Sequence, residues 1–136
     1  MIPKPLKIVI AEDDLDDGEI MLDSFSRHPH FHSVQWVKNG RELLDFLADP
    51  QNPKPDVILT DINMPIMSGI EALEKICSDP KLASIPSFVY SSTLNPVYEV
   101  RCMKLGTKGF LIKPLNLREF DEIPHKIVLI LENSMA

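Results

Sequence analysis

Five short apolar runs, each followed by a stretch of helical periodicity, constrain this chain more than any other feature. The runs cover 6–11 (LKIVIA), 33–37, 57–61, 86–91 (PSFVYS) and 109–112. Each is too short for a helix, and turn residues bound them. Their apolar character is nearly continuous, as it is in strands buried on both faces. Strands of that kind alternating with helices predict a parallel sheet covered on both sides, a doubly wound α/β fold.

The helices between the strands carry their own start and stop signals. The first is expected over Leu15–Arg27, with acids in its first turn and Gly18 as a mild weakness. Asn39 is a good N-cap for a second helix over 40–48, with Leu43, Leu44 and Leu47 inward. Ser68-x-x-Glu71 reads as a capping box for a third helix, which Asp79-Pro80 ends. Asn95-Pro96 places a cap before a proline at the first helical position, and Gly106 closes that fourth helix after Leu105. Asn116 caps the last helix, running to about Leu131, and Pro124 should kink or split it.

At 136 residues, 44% hydrophobic and 25% charged, the chain has the size and composition of one globular domain, 1–136, with a core over about 6–131. The net charge of −6 argues against nucleic acid, which wants a basic face. No apolar stretch reaches a membrane span, and the N-terminus MIPKPLK lacks the apolar segment of a secretory signal. A cytoplasmic location is expected. Cys77 and Cys102 form no C-x-x-C pair and read as buried or partly buried thiols of a reducing compartment. His28, His30 and His32 alternate before the second strand. They read as a loop entering a strand rather than as a metal site.

The chemistry gathers where strands end. The first run stops at Glu12-Asp13, the third at Asp61, the fourth at Ser91 and the fifth at Lys113. In a parallel sheet these ends share one edge, where open α/β sheets bind ligands. Three crowded carboxylates repel, and a hard divalent cation such as Mg²⁺ relieves that repulsion. Lys113 supplies a point charge suited to a phosphoryl oxygen, and Ser91 a donor. Asp61, on the middle strand, could then act as a nucleophile and form an aspartyl phosphate.

These residues resemble the receiver domains of two-component response regulators. The resemblance rests on Glu12-Asp13, the run DINMPIMSG over Asp61–Gly69, Ser91-Ser92, and GFLIKP over 109–114. It extends from about Lys7 to Leu131. It implies the five-stranded flavodoxin-like (βα)5 fold with strand order 2-1-3-4-5, like that of the chemotaxis regulator. It also implies that Asp61 is the phosphoacceptor, and that Glu12, Asp13, Asp61 and the backbone carbonyl of Asn63 hold Mg²⁺. Ser91 is then the hydroxyl that turns toward the phosphoryl group, Lys113 pairs with a phosphoryl oxygen, and Phe110 is the aromatic switch. The implied partners are a sensor histidine kinase or phosphotransfer protein and an unnamed downstream protein. The implied activity is phosphoacceptance, with self-phosphorylation from small donors and autodephosphorylation, rather than turnover of a substrate.

Departures from the family pattern matter too. Ser92 stands where a smaller residue is common, and Phe110 offers no hydroxyl. Asp14, Asp16 and Asp17 extend the acidic run, and a solvated helix start is the preferred reading of them. A calcium loop over Asp13–Ser24 fails, because Leu15 and Ser24 stand where ligands are needed. A Mg²⁺-dependent aspartyl phosphatase would need a second acid where Asn63 stands. A phosphate-independent interaction module is the other alternative, against which the complete acid and lysine set argues. The start at Met1 and the lack of a trailing linker favour a stand-alone receiver. Its fourth helix carries more apolar residues than one stripe needs, among them Val97, Tyr98, Val100 and Met103. They are either scattered surface apolars or a docking or dimer surface on the helix 4–strand 5–helix 5 face.

Overall fold

The computed structural model describes residues 5–135, and the first four residues of the N-terminal segment discussed above lie outside them. The elements in chain order are β1 (Leu6–Ala11), α1 (Leu15–Arg27), β2 (Phe31–Val37), α2 (Gly40–Ala48), β3 (Val57–Asp61), α3 (Gly69–Ser78), β4 (Ser87–Ser91), α4 (Pro96–Lys104), β5 (Gly109–Ile112), α5 (Leu117–Phe120) and α6 (Glu122–Met135). All strand pairs are parallel, in the order β2-β1-β3-β4-β5. The expected doubly wound receiver fold is therefore present.

Alternate strand residues feed two cores, one on each face of the sheet. Ile8, Ile10, Leu59, Phe88 and Tyr90 face one side, where Met21 and Phe25 of α1 and Ile123 and Ile127 of α6 cover them. Val9, Ala11, Ile58 and Val89 face the other, against Leu43 of α2, Ile70 and Ile76 of α3, and Cys102 of α4. β3 and β4 are buried along their whole length, which explains their unbroken apolar runs. β2, at the sheet edge, is largely half-buried or exposed.

Local chemistry sets the boundaries. Asp14, Asn39, Ser68, Asn95 and Asn116 each cap a helix, their side chains accepting backbone N–H bonds in the following turn. Ser68 and Glu71 form the reciprocal capping box that the spacing predicts. The last helix is split rather than kinked: α5 ends at Phe120, Asp121 caps it, and α6 begins at Glu122. Pro124 thereby falls in the first turn of α6, where its missing N–H costs no helical hydrogen bond. β2 starts two residues earlier than expected, because Phe31 is pinned edge-to-face on Phe25 with centroids 4.9 Å apart.

Two residues behave differently from their local sequence. Gly18 weakens a helix by propensity, yet a Cβ there would lie 2.0 Å from Cζ2 of Trp36. The glycine makes room for the indole, which fixes β2 against α1. Ile66, in the loop after β3, has φ 69° and is 82% exposed. A β-branched residue in the left-handed region is strained. The thiols also differ from expectation: both are free, Cys102 is buried, but Cys77 is exposed on α3. The inward stripe of α3 runs through Ile70, Leu73 and Ile76, which turns position 77 outward.

Candidate functional site

The carboxyl edges of β1, β3 and β5 converge on one ammonium group. Lys113, just beyond β5, places Nζ 2.9 Å from Asp61 Oδ2, 2.7 Å from Glu12 Oε1 and 3.1 Å from Asp17 Oδ2. The Lys113 amide donates to the carbonyl of Ser91 at 2.8 Å, which anchors the end of β5 to that of β4. The side chain is 12% exposed and lies over the ring of Tyr90 on β4, 5.0 Å from its centroid.

Asp61 ends β3 and is 6% exposed. Its Oδ1 accepts the Ile62 amide at 2.7 Å, while Oδ2 faces Lys113. Burial pushes its carboxyl from the ordinary 3.8 up to about 6; Lys113 opposes the rise, and the charge of Glu12 adds to it. Burial pulls the Lys113 ammonium down, but its bonds to Glu12 and Asp61 outweigh that and hold it above its ordinary value. Asp13 is exposed, and desolvation is the largest cause of the rise in its carboxyl pKa. Glu12 is fully buried and accepts the Asp14 amide on Oε2 at 3.1 Å. Its backbone carbonyl accepts the Trp36 indole N–H at 2.8 Å.

One oxygen from each of Glu12, Asp13 and Asp61 lies within 4.8 Å of the others. Three hard, partly desolvated oxygens at that spacing fit a small divalent cation better than a soft metal. Among the described residues, the alternating histidines form no comparable ligand group. Asn63 is exposed in the loop just after β3. Ser91 is buried at the end of β4, and its Oγ accepts the Thr93 amide at 3.4 Å. Phe110 is half-buried on β5 and packs against the α2–α3–α4 side of the core.

The sequence reading missed two members of this site. Asp17, read as part of a solvated helix start, reaches Lys113 from the first turn of α1. That reading does hold for Asp14, which caps the helix, and for the exposed Asp16. Tyr90, read only as strand, donates its hydroxyl to Glu12 Oε1 at 2.5 Å. The one available signal was position: Tyr90 precedes Ser91 at a strand end, a polar tip on a residue otherwise facing the core.

Residues 8–124 match the response regulator receiver domain family, and the chain belongs to that family. It is 31% identical over 113 residues to a protein-glutamate methylesterase/protein-glutamine glutaminase of Geobacillus kaustophilus, a match covering 82% of this chain but only 31% of that protein. Among solved structures it resembles the phosphorylated cyanobacterial phytochrome response regulator RcpA (TM-score 0.83, 29% identity, 90% of this chain and 91% of that one). It also resembles the Mn²⁺-bound form of response regulator Rcp1 (TM-score 0.82, 25% identity, again 90% and 91%). Membership places the chain in two-component signal transduction. No helix among the described residues is long and apolar enough to cross a membrane.

Proposed function

We propose that the chain accepts a phosphoryl group on Asp61 from a sensor histidine kinase or phosphotransfer protein, and that this changes which partner it binds. One carboxylate oxygen of Asp61 attacks the phosphorus of a phosphohistidine. The O–P bond forms as the P–N bond breaks, and the electron pair leaves with the imidazole nitrogen. Lys113 lies within hydrogen-bond reach of the reacting carboxylate and offsets charge on the transferred group. Mg²⁺ held by Glu12, Asp13, Asp61 and the Asn63 carbonyl would neutralise phosphoryl oxygens. The single observation that carries the reading is the convergence of Asp61 with Lys113 and with two further carboxylates, Glu12 and Asp13, that together with it fit a hard cation.

The switch that the family resemblance assigns to Ser91 and Phe110 is supported by their placement. Ser91 is on the strand next to Asp61, and its hydroxyl can turn toward a phosphoryl oxygen. Phe110 pairs with Val89 in the adjoining strand and is free to bury further when that space opens. Phosphorylation then acts as a population shift between two packings of this edge. Val97, Val100 and Met103 on α4, Ile112 at the end of β5 and Leu117 on α5 are all exposed. That apolar face supports a downstream protein or a second copy of the chain as the reader.

Incubation with acetyl phosphate and Mg²⁺ should add one phosphoryl group, detected by intact-mass spectrometry, and Asp61→Asn should abolish the addition. Labelling that persists in Asp61→Asn would refute the assignment.

A further inference from the structure

Tyr90 is fully buried in the middle of the sheet, yet its hydroxyl does not face the core. It reaches Glu12, which is equally buried, and is one of three donors to its carboxylate among the described residues. Lys113 shares Oε1 with it, and the Asp14 amide holds Oε2. The three donors are not equivalent. The Asp14 amide is fixed by the start of α1. Lys113 is divided between Glu12, Asp17 and Asp61, and it is the group assigned above to a phosphoryl oxygen. As Lys113 turns toward a phosphoryl group, Oε1 keeps Tyr90 alone. A buried carboxylate oxygen with no donor is costly, and its side chain loses a defined orientation. The ring of Tyr90 carries a second load, because the Lys113 ammonium rests above it. A phenylalanine would fill the same space and keep that support, but it would leave Oε1 dependent on a lysine shared with two other carboxylates.

We propose that Tyr90 is a positioning residue of the acidic site, its hydroxyl fixing the buried Glu12 carboxylate toward a divalent cation while its ring supports Lys113. This rests on the phosphoacceptor reading. Partners that orient metal-binding carboxylates typically change affinity by ~10-fold or more when removed.

The test is a Mg²⁺ titration of wild type, Tyr90→Phe and Tyr90→Leu. It is followed by the indole N–H resonance of Trp36, the sole tryptophan, which is bonded to the Glu12 carbonyl. Thermal unfolding is measured in parallel. Tyr90→Phe should weaken Mg²⁺ binding about tenfold with little change in Tm. Tyr90→Leu should weaken it at least as much and lower Tm as well. In a Glu12→Ala background, which removes the acceptor, Tyr90→Phe should have no further effect on Mg²⁺ affinity, since the two act through one contact. Mg²⁺ affinity unchanged in Tyr90→Phe, in a protein whose wild type binds Mg²⁺ and takes up beryllofluoride, overturns the positioning role alone. A wild type that binds neither overturns the phosphoacceptor reading and this proposal with it.

Discussion

Replacing Asp61 with Asn should make the metal-free protein more stable, not less, and only above mildly acidic pH. The carboxyl of Asp61 is raised from 3.8 to about 6 in the fold, chiefly by burial. At about 1.4 kcal/mol per pH unit, the ionised form is disfavoured by roughly 3 kcal/mol relative to the unfolded chain. The sign follows from linkage. A folded value above the unfolded one contributes stability that is fully present below 3.8 and lost as pH rises through about 6. At about pH 8 wild type therefore carries the whole penalty, and an isosteric amide does not. The figure is a ceiling, since Asp61 also helps hold the Lys113 ammonium above its ordinary value, and an amide keeps only part of that attraction. The expected gain for Asp61→Asn is about 1–3 kcal/mol near pH 8, shrinking toward zero near pH 4. Urea denaturation across that range, with Mg²⁺ removed, measures it. Adding Mg²⁺ should close the gap, because a cation favours the ionised carboxylate and binds wild type better. An Asp61→Asn variant that is less stable at pH 8, or whose advantage is the same at every pH, would refute the account of a buried, destabilising nucleophile.

Two substitutions test the tight position at Gly18 and the strained one at Ile66. Gly18→Ala should destabilise by about 1–2 kcal/mol in urea unfolding, because overlap with the Trp36 ring outweighs the ~1 kcal/mol gain in helix propensity. A net gain would show that the indole can move aside. Ile66→Asn should stabilise by about 1 kcal/mol, since Asn tolerates the left-handed conformation that Ile66 is forced into. A loss of stability would mean that the exposed isoleucine makes a contact worth more than its strain.

Much of the fold was open to reading because its determinants are local. Asn39, Ser68, Asn95 and Asn116 cap their helices through hydrogen bonds spanning two or three residues, and those spacings are visible in the chain. The five apolar runs likewise mark the strands within a few residues each, and those of β1, β3 and β4 are the buried ones. Glu12, Asp13, Asp61, Ser91 and Lys113 were each visible as a polar group ending such a run. Asp17 was not. It sits in a helical turn rather than at a strand end, and only the angle of α1 over the sheet brings it to Lys113. The split of the last helix was legible as an interruption at Pro124, but its placement at Asp121 depended on fitting proline into a first turn.

By itself, then, the sequence determined the strand and helix content, the capping chemistry and the polar residues delivered to one edge of a parallel sheet. These follow from periodicity and short-range hydrogen bonding, which act within a few residues. Only the tertiary structure decided that Lys113 is shared among three carboxylates, that Glu12 is fully buried with Tyr90 bonded to it, and that Gly18 is a space for Trp36. Those facts depend on contacts between residues 18 to 101 positions apart. Nothing in the local pattern encodes such contacts, because they arise from how packed helices set the distances between strand ends.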